Sequence, residues 1–193
     1  MRDFWIELGL TQKDISVPLS TLYSHNTKII DSSAPRLSFV RDPVELELSH
    51  GSFPPISLIE LASHPSSQLG QRKIKVIWRD ASTPLIIERT DMDSYDSGLR
   101  LKEWCDISAP SNGHSSILSL DSGGEYPIIH WLPTDSPPAI LLKPEGRELK
   151  VISGNLEANS HPNGTIVQLE RVGYARIEAD DDVGRKVLIH LHD

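Results

Sequence analysis

From Pro43 onward the apolar residues of this chain fall into short runs, many alternating with polar ones, and Pro, Gly or Asp breaks each run. "VELELSH" sets the pattern, with Val44, Leu46 and Leu48 on one side and Glu45 and Glu47 on the other. A period of two is the mark of a strand with one buried face. Comparable runs are "KIKVIWR" at 73–79, "PLIIER" at 84–89, "GLRLKEWC" at 98–105, "PIIHWLP" at 127–133, "AILL" at 139–142, "TIVQLERV" at 165–172 and "KVLIHLH" at 186–192. Many short strands with turn residues between them predict a mainly β fold built as barrels rather than an open α/β sheet. With 14 Pro and 12 Gly among 193 residues, the composition suits a turn-rich fold, and the length suffices for a good-sized core.

The first 34 residues follow a different period. In "PLSTLYSHNTKII" the residues Leu19, Leu22, Tyr23, Asn26, Ile29 and Ile30 share one helical face, with Ser16 as the expected N-cap, Pro18 in the first turn and Pro35 as the stop. Phe4, Trp5 and Leu8 predict a shorter helix that ends at Gly9, so the chain should open with a helical hairpin. Segments 50–71 and 106–126 are irregular in pattern and are expected to be loops.

Charge and cysteine content narrow the function. The net charge is −8, which excludes a broad basic surface for nucleic acid but leaves room for a few placed Arg and Lys residues. One cysteine, Cys105, gives no internal disulfide and no thiol zinc site, and it lacks a matched base. No run is apolar and long enough for a membrane span, so a cytoplasmic protein without a membrane partner is expected. His190 and His192 share a face near the C-terminus but lack a third ligand at a sensible spacing, which favours an edge strand ending in polar groups over a metal site. Asp180, Asp181 and Asp182 belong to a hairpin turn between 174–178 and 186–192, and Asp91, Asp93 and Asp96 to a polar loop. No Gly-rich phosphate cradle follows a strand, so no cofactor site is expected. On the residues alone, this is a non-catalytic body that acts through surface contacts.

One stretch resists the alternation. In "GTIVQLERVGYARIE", residues 164–178, Val167 and Leu169 face one way and Gln168 and Glu170 the other, until Arg171 puts a charge on the apolar phase and Gly173 offers a bend or bulge. This stretch, together with "IIHWLP" and the run "FWIELGLTQKDISVPLSTLYSHNTKIIDSSAPRLSFVRDPVELEL", resembles the class I glutamyl- and glutaminyl-tRNA synthetases from the end of their helical stem-contact region through their anticodon-binding barrels. "LYSHNTKIID", with Asn26, is similar to the archaeal and eukaryotic glutamyl type. The resemblance implies a helical segment over 1–34 and two β-barrels over 35–193, the proximal one from about 35–90 and 143–193 and the distal one from about 91–142.

The resemblance also implies roles. Arg36 of "APRLSF" and Gln168 of "QLER" would contact the middle anticodon base, Arg171 the first base, and Lys102 of "GLRLKEW" the third, with Arg100 in support. A Gln amide offers both a donor and an acceptor to a splayed base edge, and a guanidinium can stack as well as donate. Lys102 stands where the family has Arg, so the bidentate fork is missing there. Without the resemblance, Arg36 would be a helix-terminating Arg paired with an acid or with C-terminal carbonyls, and Arg171 a partner of Glu170 or Glu178. A basic pair that glutaminyl enzymes carry before "GLRLKEW" is replaced by the acidic "DMDSYDSG".

The His-x-Gly-His and Lys-Met-Ser-Lys-Ser type motifs of the family's catalytic domain do not occur; "SNGH" at 111–114 has Ser where the first His belongs. The expected partners are therefore tRNA(Glu) and a glutamyl-tRNA synthetase catalytic domain in cis or trans, with ATP and Mg in that domain, no cofactor in this chain and no DNA. The alternatives are a free-standing tRNA- or rRNA-binding module, or the equivalent part of a glutaminyl enzyme.

Overall fold

The computed structural model describes residues 2–9, 16–94, 97–121 and 125–193. Asp96, the connection at 10–15 and residues 122–124 of the expected loop lie outside the described residues. The opening helices are present. Helix α1, Arg2–Leu8, stops where Gly9 takes a left-handed conformation (φ +82°), and α2 spans Leu19–Ile30. Pro18, not Ser16, holds the cap position of α2: its extended backbone (ψ 143°) brings its carbonyl to the Thr21 N–H at 3.0 Å, and no side chain caps the helix. Leu22, Asn26 and Ile30 are half-buried on the inner face of α2, while Leu19 and Ile29 are exposed. Among the described residues no helix is long and apolar enough to cross a membrane.

The rest is mostly strand, in two seven-stranded sheets and one separate hairpin. The first sheet runs in the order Arg36–Leu37, Ile166–Leu169, Gly173–Ile177, Lys186–His192, Pro138–Glu145, Glu148–Leu156, Phe39–Arg41. Its two edges are neighbours in sequence, separated by Ser38 alone. One extended run, 36–41, thus pairs with both ends of the sheet and closes it into a barrel. The second sheet repeats the device. Its order is Ile128–Ile129, Leu99–Leu101, Cys105–Ile107, His114–Ser119, Pro43–Ser49, Ser82–Glu88, Trp131–Pro133, and the edge strands flank His130. Both pivots, Ser38 and His130, are buried.

Each barrel has its own core. Leu37, Phe39, Leu141, Leu156, Val167 and Leu188 fill the first; Leu46, Leu85, Leu99, Ile107 and Trp131 fill the second. The hairpin Leu58–Ala62 with Gln71–Lys75 adds Ile59, Leu61 and Ile74 to the second core. Between the barrels, Val40 packs with Ile86 and Leu132 in a small apolar plug.

Several expectations change. Strands 43–49 and 82–88, expected to share a barrel with 143–193, hydrogen-bond instead in the sheet that holds 99–133, and 138–142 joins the C-terminal sheet. "GLRLKEWC" is not one strand but a tight hairpin turning at 102–104, with Glu103 left-handed at φ +54° and the Trp104 N–H bonded to the Leu101 carbonyl. The expected loops at 50–71 and 106–126 contain the strands Leu58–Ala62 and His114–Ser119. The last strand, Lys186–His192, is interior rather than an edge, because Gly173–Ile177 and Pro138–Glu145 flank it; His190 and His192 are buried.

The turn expected at Asp180–Asp182 is present, with Asp181 Oδ1 accepting from the N–H groups of Val183 and Arg185. Among the described residues no group of three metal-ligating side chains comes together. Burial pushes the Cys105 thiol up to about 12, helped by the Asp106 charge, which keeps it protonated and unreactive.

Candidate nucleic-acid interface

The stretch 164–178 is a hairpin. Ile166–Leu169 buries Val167 and Leu169 and turns Gln168 outward, then the chain reverses and returns as Gly173–Ile177. The break in alternation at Arg171 is therefore a turn and not a bend within one strand. Arg171 is left-handed (φ +63°), and the Val172 N–H closes the turn on the Leu169 carbonyl at 3.0 Å. Gly173, at φ +125°, lies where a Cβ would sit 2.5 Å from the His192 carbonyl oxygen, so this position excludes a side chain. The bulge lies one residue further on, between Tyr174 and Ala175.

Across the first barrel's parallel pair, Arg36 is the register partner of Gln168, and its Nε donates to Gln168 Oε1 at 2.8 Å. This fixes the amide's orientation and leaves Nε2 as the group that donates to a ligand. Among the described residues the side-chain hydrogen-bond partner of Arg36 is this amide, while its charge also helps to lower the pKa of Asp31 at the end of α2.

Arg171 pairs with neither Glu170 nor Glu178. Its two terminal nitrogens donate to the carboxylate of Asp91 at 2.6 and 3.0 Å, in the bidentate geometry that guanidinium and carboxylate favour. Asp91, expected in a polar loop, lies in the short helix α3, Arg89–Asp93, and is buried. Beside this pair Arg41 donates from Nε and Nη2 to Glu88 at 2.9 and 3.0 Å. Burial raises the Glu88 pKa, but the hydrogen bonds and charge of Arg41 outweigh it and leave the carboxyl below its usual range.

Glu170 turns the other way, into the seam between the barrels. Lys102 pairs with one of its oxygens, and Arg72 reaches the other at 3.2 Å, 3.8 Å from which lies His130 Nε2. Arg72 also binds Glu157 at 2.8 Å, and the Ser38 N–H donates to Glu157 at 3.0 Å. Desolvation raises Glu170, yet its bond to Lys102 and the surrounding cations hold it below the carboxylate norm; for Glu157 burial wins over Arg72, and its pKa rises. Arg100 lies inside the second barrel, donating to Asp106 at 2.5 Å and to the Asp121 carbonyl at 2.8 Å.

Five side chains singled out in the sequence thus divide by location. Gln168 and Arg171 line one open groove of about 500 Å³ on the first barrel, together with Arg41, Lys143, Gly173 and Asp193, and Arg36 is bonded to Gln168. Lys102 stands in the seam behind that groove, and Arg100 in the barrel interior. Sequence reasoning missed Arg41 and Lys143. Arg41 gave a weak signal, as a charge ending the apolar run "LSFV" before Asp42–Pro43; Lys143, at the end of "AILLK", gave none. A larger groove of about 850 Å³ on the second barrel is lined by Glu45, Glu47 and several serines, which does not suit a polyanion.

Residues 34–120 match the family described as class I (E and Q) tRNA synthetases, anti-codon binding domain. The chain is 32% identical to the glutamate--tRNA ligase of Methanococcoides burtonii over 94% of its length, and 32% identical to that of Methanothrix thermoacetophila over 99%. It is 30% identical to that of Pyrococcus abyssi over its whole length. In each case it spans about a third of the relative, namely 32%, 33% and 34%.

Proposed function

We propose that this chain is the anticodon-recognition part of a glutamate–tRNA ligase, with tRNA(Glu) as its RNA, a reading supported by the match of residues 34–120 to the anticodon-binding domain of the class I glutamyl and glutaminyl tRNA synthetases. The observation that carries this reading is the Arg36–Gln168 pair on the rim of the groove that Arg171 also lines. An unstacked base lying against Gln168 would accept from Nε2, while the Arg36 bond prevents the amide from flipping to suit a different base edge. Arg171 offers a guanidinium plane on which the neighbouring base can stack.

Lys102 makes its contribution by holding Glu170, and hence the hairpin, in place. A contact with the third base would require exchange of that ion pair. The net charge of −8 fits a small footprint in which a few placed contacts replace a basic face. Asn26 favours glutamate over glutamine; in the fold its amide lies 2.8 Å from His192 Nε2, tying α2 to the first barrel. Activation of glutamate, with its ATP and Mg²⁺, belongs in this proposal to a catalytic domain joined in cis or supplied in trans, and the chain itself binds and positions the tRNA without a cofactor of its own.

The test is binding of tRNA(Glu) transcripts with native and middle-base-substituted anticodons to the wild type and to Gln168→Ala. The wild type should prefer the native anticodon by about 1–3 kcal/mol, and the variant should lose most of that preference. Equal affinity of the wild type for both transcripts would overturn the reading.

A further inference from the structure

Two arginines stand on the same groove, and each is held from behind by a carboxylate that solvent barely reaches. The Arg41 side chain is 39% exposed and its partner Glu88 5%; Arg171 is 35% exposed and Asp91 3%. Both arginines come from the first barrel and both acids from the second, so closing the seam brings two guanidinium groups side by side. Such a like-charge pair is unfavourable unless counter-charges neutralise it, and Glu88 and Asp91 supply two of them from the inner side. Arg41 uses Nε and Nη2 on Glu88, and its Nη1 has no hydrogen-bond partner among the described residues. Lys143 adds a third cation to the groove through a bond of 3.1 Å to Asp193, whose side chain is largely exposed. A pair of that kind is weak and readily exchanged for another anion.

We propose that Arg41 and Lys143 form a phosphate-binding site for the RNA backbone, next to the base that Gln168 contacts. This rests on the reading of the groove as the anticodon site. The ligand class follows from the donors: a preformed guanidinium and an ammonium on the rim of an open groove match a phosphodiester, and Gln168 on the same wall places a base beside it. The site sets three cations, Arg41, Arg171 and Lys143, against three carboxylates, Glu88, Asp91 and Asp193. It acts through short-range donors, as a chain of net charge −8 requires.

The experiment measures binding of the full chain to tRNA(Glu) across a range of salt concentrations, with Lys143→Ala and with the double variant Arg41→Gln/Glu88→Gln, which avoids stranding a buried carboxylate. Each should weaken binding to native and substituted anticodons alike and reduce the log–log salt slope by about 0.7–1. RNAs with a single methylphosphonate in the anticodon loop supply the second readout. One linkage should weaken binding to the wild type several-fold and have no further effect on the variants. An unchanged slope in Lys143→Ala, or the lack of any linkage that couples to either variant, overturns the site. If the wild type discriminates anticodons while these results are negative, the phosphate site alone falls; if it does not discriminate, the anticodon reading falls with it.

Discussion

His130 provides a direct test of the seam between the barrels. It is the pivot at which the second barrel closes; its side chain is 8% exposed and faces Glu170 at 3.8 Å, within the fields of Lys102, Arg171 and Glu88. Burial pushes its pKa down to about 4, and the attraction of Glu170 does not offset this. In the unfolded chain the same imidazole titrates near about 6.5, so between those values the unfolded state binds the extra proton. Stability from this group is complete above about pH 6.5 and is lost as the pH falls toward 4. Applying the linkage relation to these two values, the wild type should lose about 2 kcal/mol between pH 7.5 and 5 through this residue alone. Glu157, whose pKa is raised, works in the opposite sense over part of that range, so the comparison needs a reference in which only the imidazole is missing. His130→Gln is that reference. Urea unfolding of both proteins, followed by the fluorescence of the buried Trp104 and Trp131, should show the wild type losing this much more stability than the variant as the pH is lowered. Parallel stability curves over pH 7.5 to 5 would refute the assignment of a neutral, buried imidazole at the seam.

Two further substitutions probe the hairpin. Gly173→Ala places a methyl group against the His192 carbonyl in a conformation that L-residues avoid, and should cost about 1–3 kcal/mol, seen as a lower midpoint in thermal unfolding; an unchanged midpoint would contradict the close approach. Glu170→Gln leaves Arg72 with Glu157 alone and Lys102 with only Glu103 at 3.9 Å, and should cost about 3 kcal/mol in urea unfolding at pH 7; a loss below about 1 kcal/mol would mean that the remaining carboxylates and water already satisfy the two cations.

Much of the β architecture was legible because alternation survives wherever one face of a strand is buried for several residues, as in Pro43–Ser49 and Ile166–Leu169. The closing runs were harder. Arg36–Leu37 and Phe39–Arg41 are too short for any period to register, and what closes the barrel is hydrogen bonding to strands more than a hundred residues away. His114–Ser119 alternates correctly, with Ser115 and Ile117 buried, but a buried serine does not count as apolar in a pattern. The hairpin turn at 170–172 looked like a distorted strand because its signal, a left-handed residue, is carried by Arg and not by Gly or Asn. In the site, the outward position of Gln168 followed from the alternation. The partners Asp91 and Glu88 did not, since 80 and 47 residues separate them from the arginines they hold.

The three turn residues show why stability and recognition are joined here. Glu170 goes into the seam with Lys102 and Arg72, Arg171 is clamped by a helix of the other barrel, and Val172 packs on the first barrel's core. Gln168, two residues before the turn, therefore takes its position from both barrels, although its hydrogen bonds lie within one. A ligand that pulled Arg171 away from Asp91 would leave a buried carboxylate without its partner, at a cost of several kcal/mol. In the proposed recognition the guanidinium would serve a base from where it already sits, while Arg41 and Lys143 would meet the backbone without breaking the seam. The groove proposed for recognition is preorganised, its geometry as fixed as the docking of one barrel on the other.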